Sequence, residues 1–129
     1  MPDALGQFAK AKYLNLETFR KTGTGVRTPV WFAQGDTSGQ SAIFYIFSES
    51  KAGKVKRIRN NPQVRLAPCN FRGELRGAWV EGQAHFCAAE EAALAQQFLR
   101  RKYGLQKIVG DFFSRLMGHQ QTLIAVQLS

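Results

Sequence analysis

The rhythm of apolar and polar positions changes several times along the chain, and each change marks an element. Residues 13–20 alternate, which puts Leu14, Leu16 and Thr18 on one side of a strand. Lys21-Thr22-Gly23-Thr24-Gly25 reads as a turn, because its glycines accept positive φ. Residues 26–33 alternate again, with Val26, Thr28, Val30 and Phe32 opposite Arg27, Pro29, Trp31 and Ala33. Two strands about a glycine-containing turn form a hairpin. Pro29 has no N–H to give to a ladder, so the strand is expected to lie at an edge there or to bulge. After a polar stretch, residues 42–47 (AIFYIF) are apolar throughout, as suits a strand buried on both faces.

Beyond this point the spacing becomes helical. Residues 48–61 place Val55 and Ile58 three apart in a basic setting and predict a short helix, which Pro62 ends by disfavouring the helical conformation at Asn61. Residues 63–69 and 78–87 predict two strands about a polar turn. Residues 90–103 predict a helix with acids in the first turn and Arg100, Arg101 and Lys102 in the last, matching the helix dipole; Gly104 is its stop. Residues 105–117 predict a further helix, with Leu105, Ile108, Val109, Phe112, Phe113, Leu116 and Met117 on one apolar stripe. Residues 122–128 predict a last strand. Six strands joined mostly by short turns imply a mainly β architecture, a small closed or nearly closed antiparallel barrel with peripheral helices. The apolar stripe either caps that barrel or meets another subunit.

A chain of 129 residues suits a single domain spanning residues 1–129, and 44% hydrophobic with 21% charged residues is ordinary for a globular protein. The longest apolar run has six residues, too few for a membrane span. The opening MPDALGQFAKAKY has no apolar stretch of the signal-peptide kind, so the cytoplasm is the expected compartment. Charge departs most from the average. Eighteen Lys and Arg against nine Asp and Glu give +9, which implies an anionic partner: nucleic acid, an acidic membrane or a phosphorylated cofactor. Cys69 and Cys87 form no CxxC pair, and a metal site would need both of them and both His85 and His119 to converge. Half-buried thiols in a reducing compartment are the expectation.

The most distinctive local feature is Lys51-Ala52-Gly53-Lys54-Val55-Lys56-Arg57-Ile58-Arg59, in which five of nine residues are basic and none is acidic. It follows the apolar strand across a junction containing Ser48 and Ser50. A helix start presents unbonded N–H groups and partial positive charge, a setting for phosphate. The alternative is that such residues only solvate an exposed helix face. Thr28-Pro29-Val30-Trp31-Phe32 is the second feature. A proline in a strand releases neighbouring backbone groups for a planar heterocycle, and Trp31 could border its ring; the alternative is an edge strand carrying core aromatics. Glu81 and His85 share a strand face, a pairing more often structural than catalytic. There is no Ser/His/Asp order with a nucleophile elbow, no Walker loop and no Gly-x-Gly-x-x-Gly pattern. An enzyme so equipped would take its chemistry from a cofactor.

Taken in order, these runs resemble the pyridoxamine 5′-phosphate oxidase-like family. The resemblance is carried by Thr28 to Phe32, Phe44-Tyr45-Ile46, Gly53-Lys54-Val55-Lys56-Arg57-Ile58-Arg59-Asn60-Asn61-Pro62, Val64-Arg65-Leu66-Ala67-Pro68-Cys69 and Trp79-Val80-Glu81-Gly82. Leu99-Arg100-Arg101-Lys102-Tyr103-Gly104-Leu105 is similar to the branch assigned to the deazaflavin coenzyme F-420. The resemblance implies a six-stranded antiparallel split β-barrel of the FMN-binding kind. It also implies a homodimer with cofactor sites at the interface, and a small-molecule substrate. Coenzyme F-420 is the implied cofactor, with FMN as the alternative. By the same resemblance Ser50, Lys51 and Lys54 hold the cofactor phosphate, Lys56 and Arg57 meet a longer acidic tail, and Thr28, Pro29, Val30 and Trp31 line the ring. Lys51-Ala52 stands where the vitamin-B6 oxidases carry an Arg-Lys pair after serine, and Gln127-Leu128-Ser129 brings no basic substrate-phosphate site. Vitamin-B6 oxidation is therefore not expected.

A small basic barrel could instead bind single-stranded nucleic acid through stacked aromatics and a basic groove. Such platforms set aromatic and basic residues together on one exposed strand face. Here Phe44, Tyr45 and Phe47 lie in an apolar run while the basic residues gather in one helix, so the oxidoreductase reading is preferred.

Overall fold

A computed structural model describes residues 6–35, 42–49, 52–103 and 121–128. The strands are β1 (Tyr13–Phe19), β2 (Gly25–Gln34), β3 (Ile43–Glu49), β4 (Gln63–Cys69), β5 (Val80–Phe86) and β6 (Gln121–Leu128). Two helices are described, α1 (Gly53–Asn60) between β3 and β4, and α2 (Ala89–Tyr103) between β5 and β6. A 3-10 turn at Gly6–Phe8 precedes β1. The strands close in the order β1-β2-β3-β6-β5-β4 and back to β1, every neighbour antiparallel. This is the mainly β, six-stranded barrel that the strand pattern predicts.

Alternation decides what fills the interior. Leu14, Leu16, Phe32, Phe44, Ile46, Val64, Leu66, Ile124 and Val126 point inward and are almost wholly buried. Phe8, from the 3-10 turn, caps them, its ring 4.9 Å from that of Phe44 and 5.9 Å from that of Phe32. On the outer face α2 lays Ala95 and Leu99 over Ala33, Tyr45, Leu123 and Ala125. Phe98 stacks on Tyr45 with ring centroids 5.9 Å apart. β3 is thus covered on both sides, as its unbroken apolar run requires. The chain turns from β1 to β2 through Gly23 at φ 91°, a conformation that disfavours a β-carbon.

Three boundaries move by more than one residue from their expected places. β3 runs on to Glu49, because Ser48 and Glu49 pair with Thr122 and Gln121. The helix expected from residue 48 therefore begins at Gly53. β5 begins at Val80 rather than residue 78. Ala78 is held instead by Gln7, which donates through Nε2 to the Ala78 carbonyl and accepts from the Ala78 N–H, both at 2.9 Å. The helix expected over residues 105–117 lies outside the described residues.

Candidate functional site

Among the described residues the β2–β3 ladder is the shortest of the barrel. β2 pairs with β1 along residues 25–31, but with β3 only at residues 32–34 among the described residues. Pro29, in register with Asn15 of β1, therefore occupies a stretch of β2 with no ladder on its other side among the described residues. This is the edge position that a missing N–H allows. The four candidate residues of β2 divide by alternation. Val30 is buried in the inner core, and Thr28 stands opposite inward-facing Leu16. Pro29 and Trp31 lie on the outer side, where Trp31 meets Tyr13 edge-on, with centroids 6.1 Å apart, and packs against the α2 cluster. These side chains do not line one face. What the stretch offers together is a backbone edge that no described residue pairs with.

Where β3 leaves the barrel, the chain enters α1. The helix starts without a side-chain cap at Ala52 and without an acid in its first turn. Both departures leave positive potential at its start, since caps and acids ordinarily neutralise the first N–H groups. Lys54 is half-buried and Lys56 exposed. Arg57 turns back toward the barrel, and its Nε donates to Thr18 Oγ1 at 2.6 Å. Burial, and then the charge of Arg20, push the Arg57 guanidinium down from its ordinary value. Val55 and Ile58 face the core and fix the helix orientation. Ser50 and Lys51, also expected at this site, lie outside the described residues.

A second charged assembly escaped the reading of the sequence. Glu17, 5% exposed on the outer side of β1, is bonded by Arg27 Nε at 3.1 Å and by Arg65 at 2.6 Å. Both guanidiniums also lie against the Trp79 ring, at 4.8 and 4.9 Å. Burial pushes the Glu17 carboxyl up, but the hydrogen bonds and charges of the two arginines outweigh it, so the group titrates below its ordinary value. The partners stand 10 and 48 residues away, which no local motif discloses. His85 pairs with Glu91 of α2 at 2.8 Å rather than acting with exposed Glu81. Both cysteines are free. Burial pushes the Cys69 thiol up, and burial with Glu91 takes Cys87 to about 12, so neither is a ready nucleophile. Among the described residues there is no group of three or more metal-ligating side chains.

No family model matches the chain, and no curated protein matches it. Solved structures do. An F420 reductase superposes with a TM-score of 0.64 at 19% identity, covering 100% of this chain and 96% of that one. HutZ, a heme storage protein from Vibrio cholerae, gives 0.65 at 17% identity, covering 93% and 83%. A protein provisionally assigned as a pyridoxamine 5′-phosphate oxidase from Listeria innocua gives 0.64 at 12% identity, covering 97% and 90%. The fold is the split barrel of pyridoxamine 5′-phosphate oxidase-like proteins. A heme storage protein among the matches shows that this barrel is not tied to one chemistry.

Proposed function

We propose that the protein is an oxidoreductase that holds a phosphate-bearing flavin-type cofactor and exchanges hydride with a small organic substrate. The observation that carries this reading is the start of α1, which has no side-chain cap and no acid, and has Lys54 in its first turn. A helix start so arranged is poorly built for an isolated fold and well built for an anion. The Arg20 charge felt at Arg57 strengthens the positive field there. The open stretch of β2, with Pro29 and Trp31 on its outer side, supplies backbone groups and an aromatic neighbour for a planar ring. Exposed Lys56 and Arg59 favour coenzyme F-420, with its acidic tail, over FMN.

When bound, such a cofactor supplies the hydride chemistry; the chain binds, orients and excludes water. Lys54 and the first N–H groups of α1 would hold phosphate, with Ser50 and Lys51 just before them in sequence. Arg57 braces α1 on β1 through Thr18, which keeps Lys54 in place. We further propose a homodimer in the cytoplasm, in keeping with the resemblance and with the apolar stripe of residues 105–117. Absorbance titration with FMN and with coenzyme F-420 tests the reading. Lys54→Glu should weaken binding at least tenfold, as loss of a charged contact worth about 1.5–3 kcal/mol requires. Lys21→Glu, in the exposed β1–β2 turn, should leave it unchanged. Equal effects from the two variants would overturn the assignment.

A further inference from the structure

The loop that joins β4 to β5, residues 70–79, folds back against the outer face of β1 and β2. At its apex the Gly73 carbonyl accepts a hydrogen bond from Asn15 Nδ2 at 2.9 Å. Gly73 holds φ 85°, and a β-carbon on it would stand 3.6 Å from both Asn15 Nδ2 and Pro29 Cγ, so the apex lies over the proline ring. At the end of the loop Trp79 lies against Arg27 and Arg65. Arg27 and Pro29 both belong to the stretch of β2 that pairs with β1 alone among the described residues. What a second ladder does for other strands, the loop does here from the side: it holds residues 27–29 in place.

The loop is firm in itself. The Asn70 N–H donates to the Glu74 carbonyl at 3.1 Å, and the Gly73 N–H to the Asn70 carbonyl at 2.9 Å. Asn70 Oδ1 accepts from the N–H groups of Arg72 and Glu74. The Arg76 N–H donates to the Pro68 carbonyl at 2.7 Å, and Gln7 grips Ala78. Asn15 is the less economical part. It is 5% exposed, and among the described residues its Oδ1 accepts no hydrogen bond. A buried acceptor without a partner costs at least what one neutral hydrogen bond through Nδ2 returns. An apolar side chain of similar size would suit the strand better, so stability alone does not account for the amide.

We propose that Asn15 is a positioning residue: through Gly73 it fixes the β4–β5 loop against Pro29, and the loop fixes the backbone edge of β2 against which the planar ring of the cofactor lies. This role rests on the cofactor reading above and concerns the ring, as Lys54 concerns the phosphate.

Hydrogen exchange of the cofactor-free protein, with cofactor titration of the same variants, tests this. Asn15→Leu should speed exchange of the β2 amides between Arg27 and Trp31 about tenfold and leave those of β6, which is paired on both sides, unchanged. It should weaken FMN or coenzyme F-420, whichever the wild type binds, about fivefold and alter the visible circular dichroism of the bound ring. Competition by inorganic phosphate should keep its wild-type constant in Asn15→Leu and weaken in Lys54→Glu. Gly73→Ala, which strains the apex at its positive φ and leaves the sheet intact, should repeat the Asn15→Leu pattern and keeps the test decisive should that variant fold poorly. Unchanged exchange between Arg27 and Trp31 in both variants, or unaltered ring affinity and dichroism, would overturn the role of Asn15 and leave the cofactor reading in place. Equal loss of phosphate and ring affinity would overturn it in favour of a general loosening. A wild type that binds neither cofactor would overturn the cofactor reading and this role with it.

Discussion

Two side chains make stability depend on pH, one in the acid range and one in the alkaline range. Glu17 is worth most while ionised between Arg27 and Arg65. Its carboxyl titrates below the ordinary 4.5, so between the two values the unfolded chain holds more protons. Stability from this group is therefore complete above about pH 4.5 and is lost as pH falls through the folded value. Glu17→Gln should cost about 2 kcal/mol at pH 7, as hydrogen bonds between charged groups suggest, and the cost should shrink at pH 3. Urea unfolding at both pH values checks this. Lys102 has the same pH slope at higher pH, but through a penalty on its charged form that is relieved rather than a contact that is gained. Its residue as a whole is exposed, yet its Nζ lies 3.2 Å from the centroid of the Phe32 ring, and burial pulls the ammonium down from 10.5 to about 7. The ring face returns part of that loss by favouring the cation. The unfolded chain holds the extra proton between those two values, so stability from this group rises with pH across that window. Lys102→Met should therefore stabilise the protein at pH 6, and the advantage should fade by pH 10 in the same assay. Neither residue stands out in the sequence, because Glu17 reads as one polar position in an alternating strand and Lys102 as a dipole-matching helix end.

Among the elements, α2 offers the cleanest test of packing. Leu99 is fully buried where the helix crosses Tyr45 and Ala125 of the sheet. Leu99→Ala should cost about 2–4 kcal/mol through lost burial and a cavity, measured by denaturant unfolding. The strands were legible because a period of two is a strong signal; residues 63–69 coincide with β4 in full. The start of α1 was not, since Ser48 is as compatible with a strand as with a helix and only its ladder with Thr122 decides. Nor was the 3-10 turn before β1, too short to show a period, although its Phe8 closes the core. Of the candidate site, Pro29 reads as an edge residue and stands where β2 pairs with β1 alone among the described residues, whereas Lys54 reaches the first turn of α1 only because the helix starts at Gly53 rather than at residue 48. Thr28 and Val30 joined them through the resemblance, whereas alternation turns both toward the interior.

At the scale of the molecule, three of the phenylalanines fill the interior of the barrel. Phe8, Phe32 and Phe44 are each at most 1% exposed. The excess of +9 therefore accompanies no described row of exposed stacking rings. The proposed homodimer predicts that sedimentation at micromolar concentration finds a species of twice the chain mass. A sole 14.4 kDa species would count against it.

The short β2–β3 ladder has a bearing on survival of the protein as well as on ligands. A closed barrel has a free border where a ladder lapses, and among the described residues one lapses along residues 25–31 of β2. Such a border invites a stray strand from a neighbouring molecule to add itself, the first step toward fibrous deposits. Pro29 sits in the middle of it and withholds a donor from any incoming chain, and Arg27 puts a charge alongside. The opening that leaves backbone groups available for a ring is thus guarded against polymerisation by the same residue that keeps it open.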